Sequence, residues 1–303
     1  MPAAVGIDVG GTKVLGVLLD EQGQVAAEHR VPTPSTADGL VDAVAAVVAG
    51  LGGSGHPVGV GVPGLVDHEG RLRFAPNLPG VVDVPVRARL HDALGVTVVV
   101  ENDATAACWG ERERGAAAGA DDVVVVTLGT GIGGGVVAGG VLQRGAHGFA
   151  GEIGHMVVDP NGPRCPCGKR GCWERFASGS ALGGLARRHG LGDRGEAVTA
   201  AALRGDPDGV AAMAEFAWWV AIGLVNLAYL LDNTVFVLGG GVIDAGEALL
   251  GPTREAFASL LAGAAHRPPV SVVGAALGER AGAIGAALLA GAAGAMGATG
   301  ATS

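Results

Sequence analysis

One histidine and three cysteines lie close together in the sequence and have the residue types of a metal site. His155 ends the motif GEIGH, and Cys165, Cys167 and Cys172 follow after nine intervening residues. One imidazole and three thiolates make a closed tetrahedral zinc site, and the Gly and Pro residues between them allow the necessary tight turns. The spacing therefore predicts a structural Zn²⁺ ion. Three ordinary reduced thiols are the alternative.

Two glycine-rich turns between predicted strands have the composition of phosphate-binding loops. Consecutive glycines allow several backbone N–H groups to point into one concavity, which suits a phosphate. The first turn begins at Asp8, whose carboxylate would repel phosphate unless a divalent cation such as Mg²⁺ lies between them. Plain β-hairpins are the alternative. The predicted phosphate-binding residues are Asp8, Gly10, Gly11, Thr12 and Lys13 in the first turn, and Gly129, Thr130 and Gly131 in the second.

The second turn contains a formal G-x-G-x-x-G match, but the sequence that follows it is strand-like. A dinucleotide-binding fingerprint requires a helix at that place, so we reject that interpretation, and the chain contains no G-x-x-x-x-G-K-[ST] motif. A third glycine turn, which includes Gly240 and Gly241, follows a predicted strand.

The acidic motif Glu101-Asn102-Asp103 stands where a predicted strand ends and a helix begins. A carboxylate at this position either caps the helix or acts as a base beyond the carboxyl end of the strand. Phosphoryl transfer needs one positioned carboxylate to accept the proton of the attacking hydroxyl. Together with two phosphate-type turns, Asp103 is the predicted general base.

The elements that must position these residues form a repeated pattern. The pattern of residues 1–117 predicts three consecutive strands and then alternating helices and strands, in the order βββαβαβα. After a Gly- and Ala-rich stretch the pattern starts again in residues 118–279. The sequence thus predicts an α/β protein with a mixed sheet in each of two lobes and a cleft between them.

Composition narrows the possible partners. The 303 residues are 49% hydrophobic and carry a net charge of −9, with no basic run longer than a pair, which disfavours nucleic acid. The N-terminus has no basic region, and Asp8 interrupts its apolar stretch, so neither a signal nor a membrane anchor is predicted and a cytoplasmic location is expected. The apolar segments 216–231 and 281–300 are predicted to be buried helices rather than membrane spans.

In their order along the chain, these motifs resemble the ROK family (repressor, open reading frame, kinase), and within it most closely the bacterial glucokinases. The resemblance runs through DVGGTK, GVPG, APNLPG, ENDA, GTGIGGG, GEIGH, CPCGKRGCWE, LGGG and ERAGAIGAA. It implies the actin-like (ribonuclease H-like) two-lobed sugar-kinase fold, with the last helix, about 280–303, packed on the first lobe, and a homodimer or homotetramer. It assigns the sugar to Gly64, Asn77, Asn102, Asp103, Glu152, His155 and Glu174, the phosphates and Mg²⁺ to the two turns above, and the nucleoside to Gly240 and Gly241.

The expected reaction is phosphorylation of the 6-hydroxyl of D-glucose by ATP. The same chemistry on N-acetylmannosamine, N-acetylglucosamine or fructose is one alternative, because sequence shows the shape of a sugar pocket poorly. A sugar-responsive repressor of the same family is another, although such proteins carry a helix-turn-helix region before the actin-like part. Inorganic polyphosphate as the phosphoryl donor is a third.

Overall fold

The computed structural model describes residues 2–75 and 82–300, and only the backbone of residues 297–300. Contacts between residues divide the chain into two compact units. Unit 1 comprises Met1–Gly119, Leu142–Gly151 and Glu279–Ser303, and unit 2 comprises Ala120–Val141 and Glu152–Gly278. The lobe boundaries predicted from the sequence differ from this division chiefly at Leu142–Gly151, and they stay a prediction.

The main sheet of unit 1 begins with an antiparallel meander, as the sequence predicts. Its strands β1, β2 and β3 pair in consecutive order, and β4 and β8 extend the sheet in parallel beside β1. The order across the sheet is β3-β2-β1-β4-β8. The strands are β1 (Ala4–Val9), β2 (Lys13–Leu19), β3 (Val25–Pro32), β4 (Val58–Val62) and β8 (Val98–Asn102).

Helices cover this sheet, and a smaller antiparallel sheet stands beside it. The small sheet consists of β5 (Leu65–Val66), β6 (Leu72–Phe74) and β7 (Val82–Val84). The helices are α1 (Ala37–Gly50), α2 (Val86–Leu94), α3 (Asp103–Arg114) and α9 (Ala281–Gly300).

Helix α9 approaches the sheet so closely that glycines are required at the contacts. A Cβ atom added to Gly6 in β1 would lie 1.9 Å from the carbonyl oxygen of Ala283, and one added to Gly59 in β4 would lie 1.9 Å from that of Ala286. Small residues therefore allow backbone to pack directly on backbone. This explains physically why the last helix of the sequence belongs to unit 1.

Unit 2 repeats the topology of unit 1. Its sheet has the order β11-β10-β9-β12-β13, in which β9 and β10 are antiparallel and β12 and β13 continue the sheet parallel to β9. The βββαβαβα order read from the sequence is confirmed in unit 1 and repeated in unit 2 as far as β13, because the helix that follows, α9, belongs to unit 1. The strands are β9 (Val123–Leu128), β10 (Ile132–Ala138), β11 (Val141–Leu142), β12 (Val235–Gly239) and β13 (Ser271–Gly274).

The core of unit 2 is built around one long apolar helix. Its helices are α4 (Glu174–Ala177), α5 (Gly179–Arg188), α6 (Gly195–Leu203), α7 (Pro207–Leu231) and α8 (Glu247–Leu260). Within the described ranges, α7 is the one helix long and apolar enough to cross a membrane by length and composition. However, Phe216, Val220 and Leu224 are fully buried in the core of this unit, and the Trp173 indole donates 2.7 Å to the carbonyl of Trp219. Such burial is typical of a core helix, as the sequence predicts.

Candidate active site

Asp103 is the first residue of α3, directly after β8. The residue that caps this helix is Asn102, whose Oδ1 accepts the N–H of Thr105 at 3.0 Å. The capping role considered for Asp103 is therefore filled by its neighbour. The Oδ1 atom of Asp103 accepts the adjacent N–H of Ala104, at 2.8 Å. Because the carboxylate is not the cap, it can serve a substrate.

Two carboxylates of unit 1, those of Asp8 and Asp103, have raised pKa values. Burial raises the pKa of Asp103, although the N–H of Ala104 partly opposes this. Burial and the nearby charge of Asp103 raise the pKa of Asp8 to about 7, against the effect of Lys13. Asp8 lies in β1 and Asp103 directly follows β8, and both strands run parallel to β4 between them. The carboxyl ends of parallel strands are where ligands bind in open α/β sheets.

The first glycine turn connects β1 to β2. The N–H of Gly10 donates to the carbonyl of Lys13 at 2.9 Å, and the hydroxyl of Thr33 donates to the carbonyl of Gly10 at 2.6 Å. Apart from Gly10, Gly11 and Thr12, no heavy atom of the described residues lies within 4 Å of a Cβ added to Gly11, so the turn is open on that side. The ammonium of Lys13 pairs with Glu279.

The structure adds residues that sequence reasoning missed around this turn. A Cβ added to Gly282 in α9 would lie 2.9 Å from Cγ of Asp8. The first turn of α9 therefore packs on the Asp8 carboxyl group. The only signal in the sequence was the ERAGAIGAA motif, which does not show what its glycines contact.

Gly64 and Asn102, both assigned to the sugar by the resemblance, meet in unit 1. Gly64 has a φ of 112°, and the Nδ2 of Asn102 donates to its carbonyl at 3.2 Å. Because Nδ2 carries two hydrogens, the second can serve a ligand. Asn77, also expected at the sugar, lies outside the described residues.

The second glycine turn, in unit 2, lies against the N-terminus of α5. The N–H of Gly179 donates to the carbonyl of Gly129 at 2.7 Å, and the hydroxyl of Ser180 donates to that of Thr130 at 2.7 Å. Gly131 lies against Glu174, since an added Cβ would be 2.7 Å from Oε2 of that residue. The turn is thus fixed between α5 and α4.

A cavity of about 790 Å³ extends from this turn within unit 2, a size typical of small-ligand sites. Gly129 and Thr130 line one part of it, and Gly241 lines another. Gly240 has a φ of 83° and lies against the backbone of Leu128, which brings the third glycine turn beside β9. The cavity is also lined by residues not found from the sequence, among them Ser180, Arg187, Thr199 and Asp244.

The predicted zinc ligands converge in unit 2. The ligand atoms of His155, Cys165, Cys167 and Cys172 all lie within 4.8 Å of one another. The Sγ atoms of Cys167 and Cys172 are 3.6 Å apart, and Cys165 Sγ is 3.9 Å from His155 Nδ1. A tetrahedral zinc ion bound at about 2.3 Å to sulfur requires edges of roughly 3.8 Å. The four residues therefore fit a zinc ion.

The three thiols of the cluster differ, because hydrogen bonds from the Lys169 backbone and the other two cysteines lower the pKa of Cys167 despite its burial. Burial raises the pKa of the Cys165 thiol and that of the Cys172 thiol. A thiol with a raised pKa binds metal as a thiolate only because the metal's charge compensates the burial. Cys108, predicted to be a small buried residue, is indeed buried in α3, away from this cluster in the sequence and in unit 1.

Acidic side chains flank the imidazole of His155 on both sides. Nε2 lies 3.8 Å from Oε2 of Glu152, and Nδ1 lies 4.0 Å from Oε1 of Glu174. Glu174 also accepts from Cys165 Sγ at 2.9 Å. The three residues that the resemblance assigns to the sugar in this unit are therefore neighbours, and Nδ1 is the nitrogen that faces the cysteines.

The fold and these residues define a sugar kinase of the actin-like class, with a duplicated βββαβαβ unit, phosphate-type turns and a carboxylate at a strand end. Comparison with known proteins agrees: the ROK family model matches residues 4–293. The chain belongs to the ROK family.

Among its relatives, the chain is 40% identical to the glucokinase of Streptomyces coelicolor over 96% of this chain and 98% of that protein. It is 33% identical to the N-acetylmannosamine kinase of Escherichia coli over 89% of this chain and 96% of that protein. A crystal structure of a ROK family glucokinase from Streptomyces griseus in complex with glucose and AMPPNP is 42% identical, with a TM-score of 0.86, over 95% of this chain and 99% of that one.

Proposed function

We propose that this chain transfers the γ-phosphoryl group of ATP to the 6-hydroxyl of D-glucose. The observation that carries the proposal is the carboxylate of Asp103 at the β8–α3 junction, which has a raised pKa and leaves the capping of α3 to Asn102. A base with a raised pKa takes a proton more readily from a weakly acidic hydroxyl. The glucokinases among its relatives, similar over nearly the whole chain, support glucose as the acceptor.

Asp103 accepts the proton of the 6-hydroxyl as that oxygen attacks the γ-phosphorus. Asn102 donates the second N–H of its amide to the sugar, while its Oδ1 keeps the start of α3 in place. Gly64 and Asn77 complete the sugar contacts expected of unit 1. From unit 2, Glu152, His155 and Glu174 bind sugar hydroxyls.

The two glycine turns bind the polyphosphate of the nucleotide. In unit 1 these contacts come from Gly10, Gly11, Thr12 and Lys13, and Lys13 exchanges its pairing with Glu279 for a phosphate oxygen. In unit 2 they come from Gly129, Thr130 and Gly131, with Gly240 and Gly241 beside the nucleoside. Asp8 would hold a Mg²⁺ ion, which would supply neutralisation of the phosphate charge in phosphoryl transfer.

The zinc ligands serve structure rather than chemistry in this proposal. Cys165, Cys167, Cys172 and Nδ1 of His155 would hold a zinc ion as its four ligands. Such an ion would fix the imidazole in orientation and tautomer, which would leave Nε2 for a sugar hydroxyl. This explains why a structural metal lies beside residues that bind substrate.

Two further expectations accompany the proposal: a homodimer or homotetramer, and a cytoplasmic location. The first follows from the family resemblance, and the second is the location expected from the sequence. Light scattering of the purified protein across a concentration series tests the first, and fractionation of cells tests the second.

The decisive experiment is a coupled assay of ADP release with Mg-ATP. Glucose, fructose, N-acetylglucosamine and N-acetylmannosamine are compared, and the Asp103→Asn variant serves as the blank. Preferred turnover of glucose supports the proposal. Preferred turnover of another sugar would change the substrate and keep the mechanism, whereas no turnover of any of them would refute kinase function. A parallel arm replaces ATP with inorganic polyphosphate to test the donor.

A further inference from the structure

Glu101 is a buried carboxylate two positions before Asp103. Its side chain is only 6% exposed. A buried charge without a partner is strongly unfavourable, so the chain must compensate it. The compensation comes from Arg144, whose Nε donates to Oε2 of Glu101 at 2.5 Å.

The other carboxylate oxygen of Glu101 contacts the backbone at the carboxyl end of β8. Its Oε1 accepts the backbone N–H of Asn102 at 3.0 Å. Asn102 in turn caps α3 through Thr105 and donates to the carbonyl of Gly64. One carboxylate thus connects the guanidinium of Arg144 to the backbone from which the side chains of Asn102 and Asp103 project.

Arg144 is itself held firmly. It lies in the segment Leu142–Gly151, which belongs to unit 1 although it interrupts unit 2 in the sequence. Its carbonyl accepts the N–H of Ala150 at 3.1 Å, and His68 Nε2 lies within hydrogen-bond distance of the next carbonyl, that of Gly145, at 2.9 Å. Gly148, with a φ of 92°, lies against the backbone of Val66. The loop around Arg144 is therefore fastened to unit 1 at several points.

We propose that Arg144 is a positioning residue for phosphoryl transfer: by neutralising Glu101 it fixes the backbone of Asn102 and hence the direction of the Asp103 carboxylate. This inference rests on the function proposed above. Arg144 acts through Glu101 and does not touch the reacting atoms. In Arg144→Met the uncompensated Glu101 carboxylate turns toward water, withdraws from the N–H of Asn102 and displaces Asp103.

The test measures kcat and KM for Arg144→Met, Arg144→Lys, Glu101→Gln and the double variant Glu101→Gln/Arg144→Met, with the hexose that the wild type phosphorylates fastest. We expect kcat of Arg144→Met to fall by about 10²-fold, the loss typical of a displacement of about 1 Å at a reacting group. Its KM for ATP stays within about twofold of the wild type, because the glycine turns are unchanged. Arg144→Lys keeps the charge and retains most of kcat.

The double variant distinguishes positioning from stability. It has no buried charge, and the amide oxygen that Glu101→Gln introduces still accepts the N–H of Asn102, so kcat returns to within about tenfold of the wild type. If Arg144→Met does not fold, the double variant and Arg144→Lys carry the test. Arg89→Met is the matched control, since Arg89 pairs at 2.5 Å with Asp38, whose side chain is 86% exposed. Its kcat should equal that of the wild type.

Three results would overturn the inference: an unchanged kcat in Arg144→Met, a double variant as slow as Arg144→Met, or losses in kcat that only follow the loss of folded protein measured by thermal unfolding. A wild type without turnover on any hexose would instead refute the proposed function on which the inference rests.

Discussion

Replacing Gly59 with alanine should force helix α9 away from the main sheet of unit 1. The added Cβ would lie 1.9 Å from the carbonyl oxygen of Ala286 and 2.4 Å from its carbonyl carbon. Real Cβ contacts essentially never fall below 3.0 Å, so the helix must retreat by at least about 1 Å. The obstacle is backbone, which has no rotamer to change.

The cost can be estimated from packing. Overpacking a core costs typically about 1–3 kcal/mol, and a rigid backbone obstacle places Gly59→Ala near about 3 kcal/mol. The retreat also loosens the other close contacts of α9, those of Gly6 with Ala283 and of Gly285 with Ala106. At about 2–4 °C per kcal/mol, the melting temperature should fall by roughly 6–12 °C. Because α9 also packs on α3, which begins with Asp103, kcat should fall as well.

Differential scanning calorimetry of wild type, Gly59→Ala and a control variant checks this estimate. The control is Gly184→Ala in the middle of α5, where the nearest atom to an added Cβ is Nη2 of Arg187 at 3.9 Å. There the alanine should stabilise the helix by about 0.5–1 kcal/mol. A Gly59→Ala protein that melts with the wild type would refute the argument that backbone contact fixes α9 on the sheet.

Four further outcomes are expected. Asp103→Asn should lower kcat by about 10²–10⁴-fold and leave glucose binding by calorimetry nearly unchanged, and a variant with substantial kcat would exclude Asp103 as the base. Burial raises the pKa of Asp103 above its ordinary value of 3.8, and only the carboxylate form accepts a proton. As the pH is lowered, log(kcat/KM) should therefore begin to fall before pH 3.8 is reached. A pH profile that is flat down to about pH 4 would contradict this. Cys172→Ser should lose zinc in elemental analysis and melt at a lower temperature, whereas equal zinc content would argue against the site. Gly282→Ala should displace Asp8 and raise KM for Mg-ATP more than KM for glucose, and equal kinetics would show that the contact is unimportant.

Local patterns were enough to predict much of this protein. The zinc ligands lie within 18 positions of one another, so residue type and intervening Gly and Pro residues already indicated the site. The alternation of apolar strands and helices predicted both mixed sheets, because periodicity and turn residues are short-range properties. The candidate base, Asp103, was found in the same way, from a carboxylate at a strand end.

Tertiary structure alone decided what those residues touch. The sequence left open whether Asp103 caps α3 or acts as a base, and only the backbone geometry gave the cap to Asn102. Nor did it pair Glu101 with Arg144, which lies 43 positions away in a segment that returns to unit 1. The sequence did not distinguish Gly59 from other strand glycines, because its contact with α9 exists only in the folded structure. Such contacts depend on how distant elements pack, and no pattern within a short window of sequence carries that information.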